Sequence, residues 1–458
     1  MKEKLQSVKI ITALAIPAIL ENTMQISVGF IDTFFIGKLG TEALAGVSAS
    51  NSIMNIYIAF FLAVSVGCSA LMTRNIGMKD YKNTNNILHQ SINLAIGIGF
   101  LSGLINVIFA KPLLSLLGLS SNVIKITLPY FWAVGTPSVL ISISMILSSA
   151  LRSNKDTKTP MKVGFIVNII NTILNYFLIF GLGNWNGLGL LGAGIATSIA
   201  RTLGVILLWK SLTVSKNSNT DKSSSDIIIT KNKLFKLNWD IIKNISIISV
   251  PAAMEKLIMR TGQLIYISMI ISISEATYAA HNIAGVIESF TYLPAMGFGV
   301  VAATLVGQQL GEGDVKSAKE SGILCYIMAV VFMSIVGAVI FIFAPYLTSI
   351  FSEDPAIIRD GSKALRIIAF VQPTLAATFV ITSALQGAGD TKYPMYITFI
   401  GIWFIRVTGI YILGIKLNMG ITGVWLAIAA DIVIRGTLLI LRFITGKSLT
   451  ETNINYIK

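Results

Sequence analysis

The sequence predicts an all-α polytopic membrane protein, with twelve transmembrane helices in two six-helix lobes related by a parallel internal repeat. Three observations predict it: the composition, the recurrence of apolar runs of spanning length, and self-similarity at a fixed offset. Only 12% of the 458 residues are charged, against about 25% in soluble domains. The hydrophobic set is 54%, and 38 glycines raise the apolar share to about 62%, above the usual 45–50%. Mean hydropathy is +0.76. A water-soluble surface needs polar cover that this chain does not have. A soluble enzyme and a disordered chain are therefore excluded, and lipid becomes the solvent for most of the outer surface.

Apolar runs fall at 10–36, 44–73, 86–110, 123–150, 161–182, 188–210, 241–270, 276–306, 317–343, 363–386, 394–416 and 420–443. Several exceed the ~20 residues a bilayer requires, so tilts or kinks are expected. Pro17, Pro137, Pro251, Pro294 and Pro373 lie within these runs, where each removes a backbone hydrogen bond. The basic start Met1–Lys9 imitates a signal peptide. The run after it is too long and has no small-residue cleavage motif, so it reads as the first membrane helix. Connectors such as GKLGTE (37–42) and GNWNG (183–187) carry turn residues. The longest, Ser211–Asp240, is rich in Ser, Asn and Lys and reads as a flexible cytoplasmic linker. The expected divisions are an N-lobe at 1–210, the linker at 211–240 and a C-lobe at 241–458.

The net charge of +14 comes from loop lysines and arginines, not from a nucleic-acid surface. Twenty-three Lys/Arg fall on the side of the termini and even-numbered connectors, and seven on the other side. With residues near span edges counted in the adjoining connectors, five lie within spans: Arg201, Lys256, Arg260, Arg406 and Arg435. That bias places both termini in the cytoplasm. Cys68 and Cys325 sit in apolar runs and suggest neither disulfide nor metal.

The repeat has an offset of 234. LRSNKDTKTPM (151–161) matches LQGAGDTKYPM (385–395) at six of eleven positions, and Pro17, Glu21, Gly77 and Asp80 match Pro251, Glu255, Gly311 and Asp314. Gly189 and Gly192 match Gly420 and Gly423 after a small indel. Six helices per repeat is an even number, so both halves enter the membrane in the same sense. Parallel repeats of this kind support alternating access.

These motifs also carry a family resemblance that spans essentially the whole chain. IPAILENTMQISVGFIDTFFIGKLG (16–40), the paired D-T-K-x-P loops, NTILNYFLIFGLG (171–183), GAGIAT (192–197) and AAHNIAGVIESFTYLPAMGFGVVAATLVGQQLG (279–311) resemble the multidrug and toxic compound extrusion (MATE) family. The resemblance implies two lobes forming a V. It also implies export of mostly cationic amphipathic compounds, driven by inward movement of protons or sodium.

Intramembrane acids are functional candidates by default. Here they are Glu21, Asp32, Glu255, Glu288 and Asp431. A carboxylate can carry a proton, ligate sodium or pair with a cationic solute, and competition among these roles couples two fluxes. The resemblance makes Asp32 the coupling carboxylate of the N-lobe. Glu21 and Glu255 each follow a repeat-related proline by four residues, on the same helix face. The resemblance gives Glu255 a counterpart in some family members, while Lys256 and Arg260 offer it a structural ion pair. Asp431 and Arg435 are spaced to pair as i,i+4.

Asn168, Asn171 and Asn175 line one helix face. Relatives often have Asn and then Asp at positions 171 and 175. Asn175 does not titrate, but its amide can hydrogen-bond Asp32 or offer an oxygen to sodium. Thr197 is a further partner. The expected cation-coupling set is thus Asp32, Asn171, Asn175, Thr197 and Glu255, with Asp32, Asn171 and Asn175 as a sodium site. The expected substrate contacts are Asp32, Gln25, Glu255, Glu288 and Met259. The sodium-coupled branch has an acid in the tenth helix where this chain has Leu375, so proton coupling through Asp32 leads and sodium follows. His281 and Arg406 read as packing and ordering residues. Methionines 24, 54, 145, 254, 259, 269 and 296 read as lipid-facing filler or as soft drug contacts.

The expected function is a secondary active multidrug exporter in the cell membrane. It acts as a monomer on small amphipathic cations, with no cofactor beyond the coupling ion and no nucleic-acid partner. ATP is not the fuel, since no G-x-x-x-x-G-K-[ST] loop is present. The alternative is a flippase for lipid-linked precursors, which would need a markedly basic cavity. An enzyme would need clustered acids or an H-E-x-x-H motif, and the acids here are dispersed along the helices. A channel fits the repeat less well.

Overall fold

The computed structural model describes residues 2–183, 185–213, 227–230, 235–446 and 449. The helices in chain order are α1 (Lys2–Gly37), α2 (Thr41–Gly77), α3 (Tyr81–Leu116), α4 (Ser121–Gly135), α5 (Ser138–Ser153), α6 (Lys158–Phe180), α7 (Leu190–Thr213), α8 (Trp239–Ile273), α9 (Glu275–Gly311), α10 (Val315–Ser349), α11 (Pro355–Phe370), α12 (Gln372–Gly387), α13 (Lys392–Phe399) and α14 (Gly420–Ile444). Between α13 and α14 lie two π-helical stretches, π1 (Ile400–Val407) and π2 (Ile410–Lys416). Among the described residues, ten spans are long and apolar enough to cross a membrane, and the α11–α12 pair, bent by 59°, makes eleven. α8, 35 residues long, is the twelfth rod. The all-helical fold class predicted above is the one observed. Each of the twelve apolar runs coincides with one rod.

Proline acts differently at different positions. At Pro137 the fourth rod breaks into α4 and α5, and at Val371–Pro373 the tenth breaks into α11 and α12. Pro17, Pro251 and Pro294 instead lie inside continuous helices.

The repeat is written into the helix ends. Asp80 caps α3 by accepting from Asn83 N at 3.0 Å, and Asp314 caps α10 by accepting from Ser317 N at 2.9 Å. Asp156 accepts from Thr159 N at 3.0 Å, and Asp390 accepts from Tyr393 N at 3.3 Å. Each pair is separated by 234, so the D-T-K loop is a helix-start device. The preceding turns are also paired. Lys79 (φ 59°) corresponds to Gly313 (φ 80°), and Lys155 (φ 59°) to Gly389 (φ 89°). In the second repeat glycine occupies the left-handed position without Cβ strain; in the first, lysine occupies it.

The chain forms two compact units: Leu20–Ser249, and Met1–Ile19 with Val250–Lys458. The boundaries fall inside α1 and α8, beside Pro17 and Pro251. In the first unit α2 packs on α3 and α5, α4 on α7, and α6 on α7. In the second, α9 packs on α10 and α12, α11 on α14, and α14 on π1 and π2. Repeated pairings therefore build two separate cores, one around Phe61, Phe131 and Leu114 and one around Trp425, Phe443 and Leu385. Small residues permit the closest approaches. A Cβ on Gly192 would stand 2.1 Å from Leu178 O, and one on Gly423 would stand 2.5 Å from Leu413 C.

Much of the Ser211–Asp240 connector lies outside the described residues. Its described part is held on α3: Asn85 Oδ1 accepts from Ile228 N at 3.0 Å, and His89 Nε2 accepts from Thr230 N at 2.9 Å. Gln90 Nε2 donates to Lys236 O at 2.7 Å, and its Oε1 accepts from Asn238 N at 3.2 Å. The sequence expectation of a freely flexible linker misses this docking, because polar composition alone does not reveal that α3 carries matching amides and an imidazole.

Candidate functional site

In the Leu20–Ser249 unit, α1 presents Asp32, α6 presents Asn171 and Asn175, and α7 presents Thr197. The 3.6-residue period puts Asn168, Asn171 and Asn175 on one face of α6, and the packing of α6 on α7 brings Thr197 alongside. Asn175 Nδ2 donates to Asp32 Oδ1 and, at 3.1 Å, to Asn171 Oδ1. Asn171 Nδ2 donates to Thr197 Oγ1 at 3.4 Å, and Thr197 Oγ1 donates to Ala193 O at 2.9 Å. Asn168 leaves the chain and donates to Met24 O at 3.2 Å. Asn171 and Asn175 are buried.

This chain of hydrogen bonds has acceptors at both ends, the Asp32 carboxylate and a backbone carbonyl. A proton on Asp32 removes its charge and adds an O–H donor, while the other carboxyl oxygen can still accept from Asn175. The link at the head of the chain then changes from a charge-assisted hydrogen bond to a weaker neutral one. Asn175 Oδ1 is buried without a partner, so a second acceptor stands ready beside the carboxylate. The same oxygen and Asp32 together fit the donor chemistry of a monovalent cation. No group of three or more His, Cys, Asp or Glu that would hold a metal occurs among the described residues. Arg201 on α7 donates to Val134 O at 3.4 Å and acts electrostatically on Asp32, a neighbour that residue spacing did not reveal.

Glu21 of the same unit does not join this chain. It is buried and pairs with Arg152 Nη1 at 2.9 Å. Its repeat counterpart, Glu255, accepts from Gln386 Nε2 at 3.2 Å. Positions 152 and 386 are themselves separated by 234, so the two lobes build one contact with different partners, arginine in one and glutamine in the other. The offset that relates the glutamates also identifies their partners, a signal the sequence reading did not use. Lys256 Nζ lies 3.9 Å from Glu255 Oε1, while Arg260 donates to Gln263 instead.

The remaining candidates of the second unit are dispersed. Glu288 lies midway along α9, partly exposed, and Met259 on α8 is half-buried. The side chain of Gln25 lies outside the described residues. His281 packs by its ring against Tyr266 and Trp425, with centroids at 6.2 Å and 5.6 Å. Asp431 does pair with Arg435, at 3.2 Å, but Arg406 approaches the same oxygen more closely, at 2.6 Å.

A family model described as MatE matches residues 17–177 and again 251–412, the two copies of the repeat. "Probable multidrug resistance protein NorM" of Thermotoga maritima is 30% identical over 441 residues, covering 95% of this chain and 91% of the relative. A "FAD transporter" of Shewanella oneidensis is 28% identical, covering 92% and 93%. A solved structure titled "Reverse polarity of binding pocket suggests different function of a MOP superfamily transporter from Pyrococcus furiosus" superposes with a TM-score of 0.88 at 21% identity, covering 98% of this chain and 97% of that one. That last likeness concerns the fold alone.

Proposed function

The chain belongs to the MatE family of multidrug efflux transporters, and from that premise we propose that it exports amphipathic, mostly cationic compounds in exchange for protons by alternating access. The observation that carries the reading is the hydrogen-bonded chain from Asp32 through Asn175 and Asn171 to Thr197. Ionised, Asp32 accepts from Asn175 and can hold a cationic solute by its charge. Protonated, it loses the charge and keeps only a weaker, neutral hydrogen bond to Asn175, so proton and cargo compete for one carboxylate. Sodium is the second coupling ion the site can serve, through Asp32 and the unpartnered Asn175 Oδ1. Glu255 is proposed as an accessory carboxylate, because its hydrogen-bond partner Gln386 is neutral and its one ion pair among the described residues, to Lys256, is long at 3.9 Å. On this reading the protein acts as a monomer in the cell membrane, and the Lys/Arg bias of its connectors supports cytoplasmic termini.

The test is dye efflux from proteoliposomes of the purified protein. A proton gradient and a sodium gradient are imposed separately, on wild type and Asp32→Asn. Export driven by protons and lost in the variant is the expected result. Full efflux by Asp32→Asn sinks the assignment, and efflux driven only by sodium recasts the same residues as a sodium site.

A further inference from the structure

The densest unassigned chemistry lies where π1 packs on α14. Asp431 is fully buried, and its Oδ2 receives Arg406 Nη2 at 2.6 Å and Arg435 Nη2 at 3.2 Å. Two guanidinium groups thus share one oxygen of one carboxylate. Glu288 acts electrostatically on Arg406 and Glu255 on Arg435. Neither carboxylate forms an ion pair with either arginine among the described residues, and Glu255 is already engaged by Gln386.

The donors are unsatisfied as well. Arg406 Nε, Arg435 Nε and the indole nitrogen of Trp403 are buried with no acceptor, three open donors against one unpartnered acceptor of the cluster, Asp431 Oδ1, and the Arg435 side chain is only 8% exposed. A buried guanidinium with open donor edges lacks acceptors. The backbone is special at the same place. π-helix is rare and concentrates at functional positions, and here it carries Arg406 itself. Gly401 on π1 gives room: a Cβ there would stand 2.1 Å from Asp431 Oδ1. The cluster is not sealed, because 13% of the Arg406 side chain stays exposed, with the Tyr266 ring 5.5 Å from its guanidinium carbon.

We propose that Arg406 and Arg435 form an oxyanion site that takes the carboxylate or phosphate of an organic solute. The planar fork of each guanidinium suits such groups, and a bound oxyanion offers acceptors to donors that outnumber the one acceptor left open in the cluster. The site extends the cargo range to zwitterionic and anionic amphipaths. Its residues belong to the other unit from Asp32.

The test is equilibrium binding to the full-length protein in phosphatidylcholine nanodiscs, corrected against empty discs. The probes are 1-pyrenebutyrate and its neutral analogue 1-pyrenebutanol, with inorganic phosphate as competitor. The acid is expected to bind at least tenfold more tightly than the alcohol and to be displaced by phosphate. Arg406→Lys and Arg435→Lys keep the charge but lose the fork, and each should weaken the acid at least fivefold while leaving the alcohol unchanged. Equal affinity for acid and alcohol in the wild type overturns the proposal without recourse to any variant. A preference that survives intact in both lysine variants overturns it too. Nanodiscs containing phosphatidylglycerol separate the sources. If that lipid blocks the acid in the wild type and fails to do so in the lysine variants, the site stands and its oxyanion is a headgroup phosphate. If the lipid has no effect, the site stands for a solute. Asp32→Asn protein should bind the acid as wild type does, so loss of coupling and loss of this site are read separately.

Discussion

Replacing Arg152 tests how one lobe tolerates a change that the other lobe already carries. Arg152 and Glu21 meet at 2.9 Å with side chains 21% and 7% exposed, so the pair is largely withdrawn from solvent. Removing one partner of such a pair costs about 3–5 kcal/mol, because the other charge is left buried and uncompensated. Arg152→Leu does this. Arg152→Gln recreates the contact that Gln386 makes with Glu255 at 3.2 Å. A hydrogen bond to a charged group returns about 1.5–3 kcal/mol, which leaves a net loss of roughly 0–3.5 kcal/mol, centred near 2. The expected order of stability is therefore wild type, then Arg152→Gln, then Arg152→Leu. Reversible unfolding in mixed detergent micelles, run with Glu21→Gln and the double variants as a cycle, measures it. If Arg152→Gln is as damaged as Arg152→Leu, or if Arg152→Leu falls within about 0.5 kcal/mol of wild type, the value normal for an indifferent surface site, the pair is not the contact described.

Three further predictions follow the same geometry. Asn175→Leu keeps a similar volume but cuts the link to Asp32 and Asn171, so proton-driven dye efflux should fall at least tenfold with the protein still correctly inserted; wild-type efflux would refute the relay. Gln386→Arg should give Glu255 the ion pair that Glu21 has, and efflux should drop without loss of thermal stability; unchanged efflux would mean that Glu255 need not stay free of a strong partner. Lys155→Gly relieves a left-handed residue (φ 59°) and should stabilise by about 0.5–1 kcal/mol, the strain less the added freedom of the unfolded chain. Gly389→Ala should destabilise by a similar amount, and thermal melts of the two variants check both.

Secondary structure was legible because a bilayer leaves a helix few alternatives. All twelve rods fall where apolar runs fall, and the Asn168, Asn171 and Asn175 face was visible because helical period needs no tertiary information. Positions that depend on what lies across a packing interface were less visible. The break at Pro137 and the continuity at Pro17 look alike as sequence, since a kink depends on whether neighbouring helices accept the freed carbonyl. The Asp431–Arg435 spacing suggested a closed pair, yet Arg406 arrives from π1, a helix form with no sequence signature. Likewise, Asn85, His89 and Gln90 on α3 gave no hint that a connector some 140 residues later would dock on them.

The comparison of repeats separates what the fold requires from what it leaves open. Caps at Asp80 and Asp314 and at Asp156 and Asp390 recur because every helix start must satisfy the same orphan N–H groups. Charge within the membrane follows no such rule. Glu21 has arginine where Glu255 has glutamine, Asp32 has no acidic counterpart at position 266, which is Tyr266, and the arginine pair on Asp431 sits in the second unit alone among the described residues. Buried charge is costly and adds little net stability even when paired. On the proposed reading its unequal placement on two similar scaffolds reflects unequal work: a carboxylate among neutral amides in one unit, and two guanidinium groups on one carboxylate in the other. If the Asp32→Asn and Arg406→Lys variants lose different cargoes, that division of labour holds. If both lose the same cargo to the same degree, the two clusters serve one site and the division fails.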